Sequence, residues 1–188
     1  MSANRDRLRV ALLAGTLGQG GAEKQLVYMV RALQRAGVEV RVYCLTRGEF
    51  YEPVLKALGV EPVWFGQQGN PLLRLAAFTR AMREYRPQIV QSAHFYTNFY
   101  VALTGRLLGI AAIGSIRGDA YLEVSDRRGW GRWLMAMTPS LLVNSQTAKR
   151  NAASLGIKAG SVYVLPNVID LEEFDRDDGR WTKVDSSK

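Results

Sequence analysis

Short, mainly apolar runs alternate along this chain with longer segments whose apolar residues recur every three or four positions. Leu8 to Ala14 is the first run, and it reads as a buried strand ending in glycines. Ala22 to Ala36 reads as a helix with Leu26, Val30 and Leu33 on one face and Lys24, Arg31 and Gln34 elsewhere; Gly37 is its stop. Glu39 to Leu45 is a second strand, Pro53 to Leu58 a short helix, and Val63 to Phe65 a third strand. Pro71 to Tyr85 begins with proline in its first turn, as helices tolerate, and its pattern turns Leu72, Leu75, Ala76 and Met82 inward. Strand Ile89 to Ser92, helix Phe99 to Leu108 and strand Ala112 to Ile116 follow. Helix Trp130 to Met137, strand Leu141 to Asn144, helix Gln146 to Leu155 and strand Val162 to Leu165 complete the series.

Strands separated by helices imply βαβ units. Because such crossovers are right-handed, the expected fold class is α/β. It is a Rossmann-like, doubly wound, mainly parallel sheet of about seven strands with helices on both faces. Ligands of such sheets bind at the carboxyl ends of strands, so the loops after Ala14, Leu45, Ser92, Ile116, Asn144 and Leu165 are where function is sought. Residues 1–174 are expected to form this domain and 175–188 a polar tail or linker.

Composition narrows the picture. The chain has 188 residues, 47% of them apolar and 22% charged, which suits one globular domain and excludes disorder. Cys44 is the single cysteine, so no internal disulfide forms; this fits a reducing compartment, and a cytoplasmic location is expected. The arginines before Val10 imitate a signal peptide, but the apolar run is short and lacks a cleavage site. Phe99 to Ile116 is interrupted by Arg106 and two glycines, so no transmembrane segment is expected.

The balance of 25 Lys and Arg against 17 Asp and Glu, net +8, points to an anionic partner. Arg127, Arg128, Trp130, Arg132 and Trp133 combine cations with indoles as membrane-interface segments do. They are candidates for peripheral contact with an anionic membrane surface, at its inner face. Nucleic acid is not expected, since no recognised binding motif is present.

The loop Gly15-Thr16-Leu17-Gly18-Gln19-Gly20-Gly21-Ala22-Glu23 joins a strand to a helix, the context of a phosphate cradle. Its spacing fits neither the dinucleotide fingerprint nor the P-loop. Gly20 and Gly21 offer backbone N–H groups at a helix N-terminus; Glu23 either offsets that dipole or caps those groups. The alternative is a turn that only reverses the chain. His94 follows the fourth strand, where an imidazole can orient a hydroxyl or move a proton, or merely cap a surface turn. Arg117 can bind a phosphate or carboxylate, or can pair with Asp119 and fix their loop. No nucleophile elbow, reductase Tyr-Lys pair or clustered metal-ligand set is present, so no metal or other cofactor is expected. An NADP enzyme using Arg47 is disfavoured by the broken glycine fingerprint.

Gly20-Gly21-Ala22-Glu23 opening a helix that leads to Ala36-Gly37-Val38-Glu39-Val40 resembles the start of group 1 glycosyltransferases of the GT-B fold. So do Pro87-Gln88-Ile89-Val90-Gln91-Ser92-Ala93-His94 and Leu107-Leu108-Gly109-Ile110. Leu142-Val143-Asn144-Ser145-Gln146 resembles a later strand of that family, and Val164-Leu165-Pro166-Asn167-Val168-Ile169-Asp170, with Phe174 beyond, its linker into a second domain. Val168 stands where the family usually has glycine.

The resemblance to this glycosyltransferase family 4-like, acceptor-binding half implies a retaining transferase taking a nucleotide-sugar donor and needing no metal. The nucleotide would be bound by a C-terminal domain that is not within these residues, so the fragment alone is expected to be inactive. The acceptor would be a cell-envelope, lipid-linked or other glycan acceptor. By the same resemblance Gly20, Gly21 and Glu23 meet the donor phosphates or sugar, and His94 is the catalytic contact. Tyr96, Arg117, Asp119 and Ser145 line the acceptor side, and Asn167 and Asp170 form the hinge. A non-catalytic ligand-binding or partner subunit of the same fold is the alternative.

Overall fold

A computed structural model of the protein describes residues 7–67, 69–118, 121 and 130–171. The elements are β1 (Arg9–Ala14), α1 (Gly21–Arg35), β2 (Glu39–Cys44), α2 (Glu52–Ala57), β3 (Val63–Trp64), α3 (Pro71–Tyr85) and β4 (Ile89–Ser92). They continue with α4 (Asn98–Leu108), β5 (Ala111–Ile116), α5 (Trp130–Met137), β6 (Ser140–Val143), α6 (Gln146–Ser154) and β7 (Val162–Val164). The strands form one parallel sheet in the order β3-β2-β1-β4-β5-β6-β7. This is the doubly wound α/β architecture the alternation predicts.

Beyond Arg9, β1 is apolar to its end because both its faces are covered. Val10, Leu12 and Ala14 pack with Val42, Leu26, Val27 and Val30 on one side of the sheet. Ala11 and Leu13 pack with Val90, Phe78, Met82 and Val101 on the other. A third cluster around Phe95, Ile116, Leu141 and Val143 fills the β5–β7 half. α1 stops where glycine takes a left-handed conformation: Gly37 has φ +76, its N–H donates to the Gln34 carbonyl, and the Val38 N–H donates to Leu33. These two bonds satisfy carbonyls the helix end leaves free and turn the chain into β2.

One inward face differs from expectation. Along α3 the buried stripe is Phe78, Met82 and Tyr85, with Leu75 packed beside it, while Leu72 is 67% exposed and Ala76 also faces out. The aromatic and methionine side chains bury more area than the leucine-rich first turn, so they set the helix's rotation.

The sheet order places the first crossing to the left of β1 and later ones to its right, so β1 and β4 flank the point where the winding reverses. Their loops therefore part and leave a crevice at the carboxyl edge.

Candidate functional site

The register of the two central strands builds this crevice. Leu13 lies opposite Ser92, which brings the loop after β1 level with the loop after β4. Gly15 and His94 meet there: the Gly15 N–H donates to His94 Nδ1 at 3.1 Å. The other ring nitrogen, Nε2, lies 3.0 Å from Glu23 Oε1, a carboxyl delivered by the first turn of α1. A backbone N–H can only donate, so Nδ1 carries no proton and Nε2 carries it. The His94 main chain is pinned as well, its carbonyl accepting from Ser92 Oγ at 2.6 Å and Thr97 Oγ1 at 2.8 Å.

Burial pushes the His94 pKa down; the charge and hydrogen bond of Glu23 oppose this, and the nearby Arg117 charge adds to the lowering. The net shift is below the ordinary value, so the ring is neutral at neutral pH.

Glycines admit these contacts. A Cβ on Gly15 would lie 2.0 Å from the Tyr96 hydroxyl, and one on Gly20 would lie 2.2 Å from Glu23 Oε2. The glycine-rich loop thus accommodates two side chains, and Gly20 as N-cap makes no side-chain capping bond. The first N–H groups of α1, at Gly21 and Ala22, have no partner within their helix.

The loop is braced from below by Glu49, a residue the sequence reading passed over. Its carboxylate accepts from the Thr16 hydroxyl, the Leu17 N–H and the Thr46 hydroxyl. The available signal was the Thr46-x-x-Glu49 spacing ahead of α2, a capping-box pattern. Burial raises the Glu49 pKa, but the three hydrogen bonds together outweigh it and hold the carboxyl below its usual range. A depressed folded pKa means that this stabilisation is present above the ordinary Glu value of about 4.3 and lost as pH falls through the lower folded value. Replacing Glu49 by Gln is therefore expected to lower stability at pH 7 and to flatten the acid limb of a urea-midpoint-versus-pH curve. An acid limb identical to wild type would assign it to other carboxyls.

Arg117 closes the site from the end of β5. Its carbonyl accepts from Asn144 Nδ2 at 2.9 Å, while its half-buried guanidinium has no hydrogen-bond or ion-pair partner among the described residues. Burial lowers its pKa from a value so high that it stays charged. Gly21, Ala22, His94, Phe95, Tyr96, Arg117, Gly118 and Asn167 line one cavity of about 280 Å³. A cation, free helix N–H groups and a neutral imidazole thus converge, an arrangement suited to an anion beside a hydroxyl-bearing group.

The segment after β7 docks on α1 beside this cavity. Gln25, also missed in the sequence, donates to the Val168 carbonyl at 2.7 Å and accepts from its N–H at 2.8 Å. Asp170 approaches Arg31 at 3.6 Å. The segment also walls a wider cleft of about 520 Å³, which Arg117 shares.

Of the residues singled out in the sequence, Gly21, His94, Tyr96, Arg117 and Asn167 are brought to one cavity. Gly20 and Glu23 stand directly behind it. Ser145 is not brought there: it caps α6, accepting from the Ala148 N–H at 3.1 Å. Arg47 stacks over the Trp64 ring at 4.2 Å. Trp133 is exposed on α5. Asp119, Arg127 and Arg128 lie outside the described residues, as do the side chains of Trp130 and Arg132. Among the described residues no helix is long and apolar enough to cross a membrane, and no group of three or more His, Cys, Asp or Glu could hold a metal ion.

This fold recurs among solved structures. Anabaena HepE, solved with UDP-glucose, superimposes with a TM-score of 0.74 at 14% identity, over 88% of this chain and 45% of that one. The lipopolysaccharide outer core galactosyltransferase WaaB aligns at 0.67 with 14% identity, over 87% and 46%. Acinetobacter baumannii MurG aligns at 0.64 with 17% identity, over 87% and 46%. At such identities the likeness is one of fold, that of the N-terminal half of GT-B enzymes.

The sequence places the chain more narrowly. The model of Glycosyltransferase Family 4 matches residues 19–173, and the chain belongs to that family. No curated protein matches it. It spans less than half the length of these solved neighbours.

Proposed function

We propose that this domain is the acceptor-side half of a retaining glycosyltransferase that moves a sugar from a nucleotide-sugar to a cell-envelope, lipid-linked or other glycan acceptor. The observation that carries the reading is the convergence of His94, Arg117, whose guanidinium has no partner among the described residues, and the first turn of α1 on one cavity at the switch point. Family membership and the fold support it. HepE was solved with UDP-glucose, which supports a nucleotide-sugar as donor here, held mainly by a second domain.

Transfer cleaves the bond between the anomeric carbon and the donor diphosphate, the acceptor hydroxyl oxygen takes the diphosphate's place, and the hydroxyl proton passes to the departing diphosphate. Negative charge grows on the departing diphosphate. Fixed donors aimed at that charge lower the barrier, because they need no reorganisation as it forms. In this reading the Gly21 and Ala22 N–H groups and Arg117 are those donors. His94 contacts the sugar, with Tyr96 beside it, and Asn167 at the start of the docked segment lines the far wall.

The test uses the natural full-length protein with UDP-glucose as the first donor probe. UDP release is followed with and without a membrane lipid and glycan extract. The expected result is UDP release that extract accelerates and that His94→Ala reduces at least tenfold. Release of UDP at the same rate in wild type and His94→Ala, or failure of a panel of nucleotide-sugars to bind at all, would overturn it.

A further inference from the structure

We infer that Glu23 is the positioning residue of this site: its buried carboxylate holds His94 Nε2–H and so fixes the tautomer whose Nδ1 accepts from Gly15. The catalytic meaning of this role rests on the glycosyltransferase reading; the geometry does not.

Three elements meet at the imidazole. Gly15 comes from the loop after β1, His94 from the loop after β4, and Glu23 from the third residue of α1. Gly15 supplies a donor, so Nδ1 must accept. Glu23 supplies an acceptor, so Nε2 must donate. Each partner demands the same tautomer. Glu23 is only 7% exposed, and its carboxyl folds back over the helix start, where its second oxygen occupies the space a Cβ on Gly20 would need. Gly20 and Glu23 therefore act as a pair: the glycine leaves room, and the carboxylate fills it and reaches the ring.

The charges facing His94 are Glu23 on α1, Glu49 in the loop after β2 and Arg117 after β5, with the Tyr96 ring 5.4 Å away on its own turn. The two carboxylates make the imidazole edge a poor place for an anion. The guanidinium and the α1 N–H groups lie on the cavity side, where the anion is better held. Glu23 thus divides the site by charge. It holds the Nε2 proton of an imidazole that burial keeps neutral, and leaves the anion to Arg117.

His94 is the single histidine of the chain, so the untagged, ¹⁵N-labelled protein gives one pair of ring nitrogens without ambiguity. Long-range ¹H–¹⁵N spectra between about pH 6 and 8, the range in which histidine ordinarily titrates, are expected to show a proton on Nε2 and none on Nδ1. Glu23→Gln keeps an acceptor oxygen and removes the charge. It is expected to retain the tautomer and move the His94 midpoint below that of wild type. Glu23→Ala removes the acceptor and leaves the Gly15 N–H as the single partner selecting the tautomer, so a measurable share with the proton on Nδ1 is expected. A proton on Nδ1 in the wild type would overturn the inference with no variant needed. So would a tautomer and midpoint that are the same in all three folded proteins. These readouts do not depend on turnover. Failure of the transfer assay would leave them standing, and their failure would leave the transfer assay standing.

Discussion

Alanine at Gly66 is expected to destabilise the domain by about 3 kcal/mol, the upper end of the usual cost of forcing atoms into a filled space. Its Cβ would lie 1.5 Å from the Leu45 carbonyl oxygen and 2.5 Å from the carbonyl carbon. Those are main-chain atoms at the end of β2, and they cannot swing aside as a side chain can. The same oxygen accepts from Trp64 Nε1 at 3.0 Å, and the Phe65 N–H bonds to Cys44 at 3.1 Å. Relieving the clash therefore loosens the two-residue pairing of β3 with β2 and draws Phe65 away from Phe78, whose ring stacks on it at 5.2 Å. Thr46, next along the chain, carries a bond to the Glu49 brace, so the disturbance reaches the first loop. Gly69→Ala is the control: nothing lies within 4 Å of its Cβ, and a change within about 0.5 kcal/mol is expected. Urea unfolding of both variants decides the matter. A Gly66→Ala midpoint equal to that of Gly69→Ala would mean that the loop after β3 yields without cost.

Arg117→Met is expected to separate stability from function. In the transfer assay proposed above, kcat/KM is expected to fall roughly 10- to 150-fold, the worth of a lost hydrogen bond to a charged group of about 1.5–3 kcal/mol. The unliganded protein is expected to be as stable as wild type or more so, by no more than about 1 kcal/mol. The reason is that a half-buried guanidinium without a partner among the described residues gives up hydration and receives no ion pair in return. Methionine keeps the apolar stem that packs beside the cavity. Arg117→Lys keeps the charge without the planar fork and is expected to fall between the two. Steady-state kinetics and thermal melts of the same preparations give both quantities. A variant that melts lower with kcat/KM unchanged would make Arg117 a structural residue and remove the anion site.

The opposite signs of those two effects mark what kind of residue Arg117 is. Most buried polar groups here are satisfied: Asn98 exchanges two bonds with the Ser115 backbone at 2.9 and 3.2 Å, and Thr79 meets Thr104 at 3.0 Å. Such groups hold the fold together, and removing one partner strands the other. Arg117, whose guanidinium has no partner among the described residues, is a cation at a cavity wall, and such a group suits an anionic ligand.

Much of this protein is determined by the sequence alone. Short apolar runs bounded by turn residues read as strands covered on both faces, and helical runs that end in glycine turn back, so the α/β order and nearly every element follow from local chemistry. Their ends move by a residue or two, and only the rotation of α3 departs, because Phe78 and Met82 outweigh Leu72 at a distance the helical pattern does not weigh. The positions worth watching were legible too, since strand ends in such a sheet lie on the ligand side. What the pattern could not supply is who meets whom. Gly15 and His94 are 79 residues apart, and Glu23 and His94 are 71. Glu23 read as a donor contact or a dipole offset, Gln25 as one more exposed helical residue, and Glu49 as nothing. Their partners were fixed by the pairing of Leu13 with Ser92 and by the reversal of winding between β1 and β4, and both are properties of the assembled sheet. Local propensity acts over a turn of helix or a pair of strand residues. A hydrogen bond across a crevice depends on register, and register is settled only when every strand has packed against its neighbour.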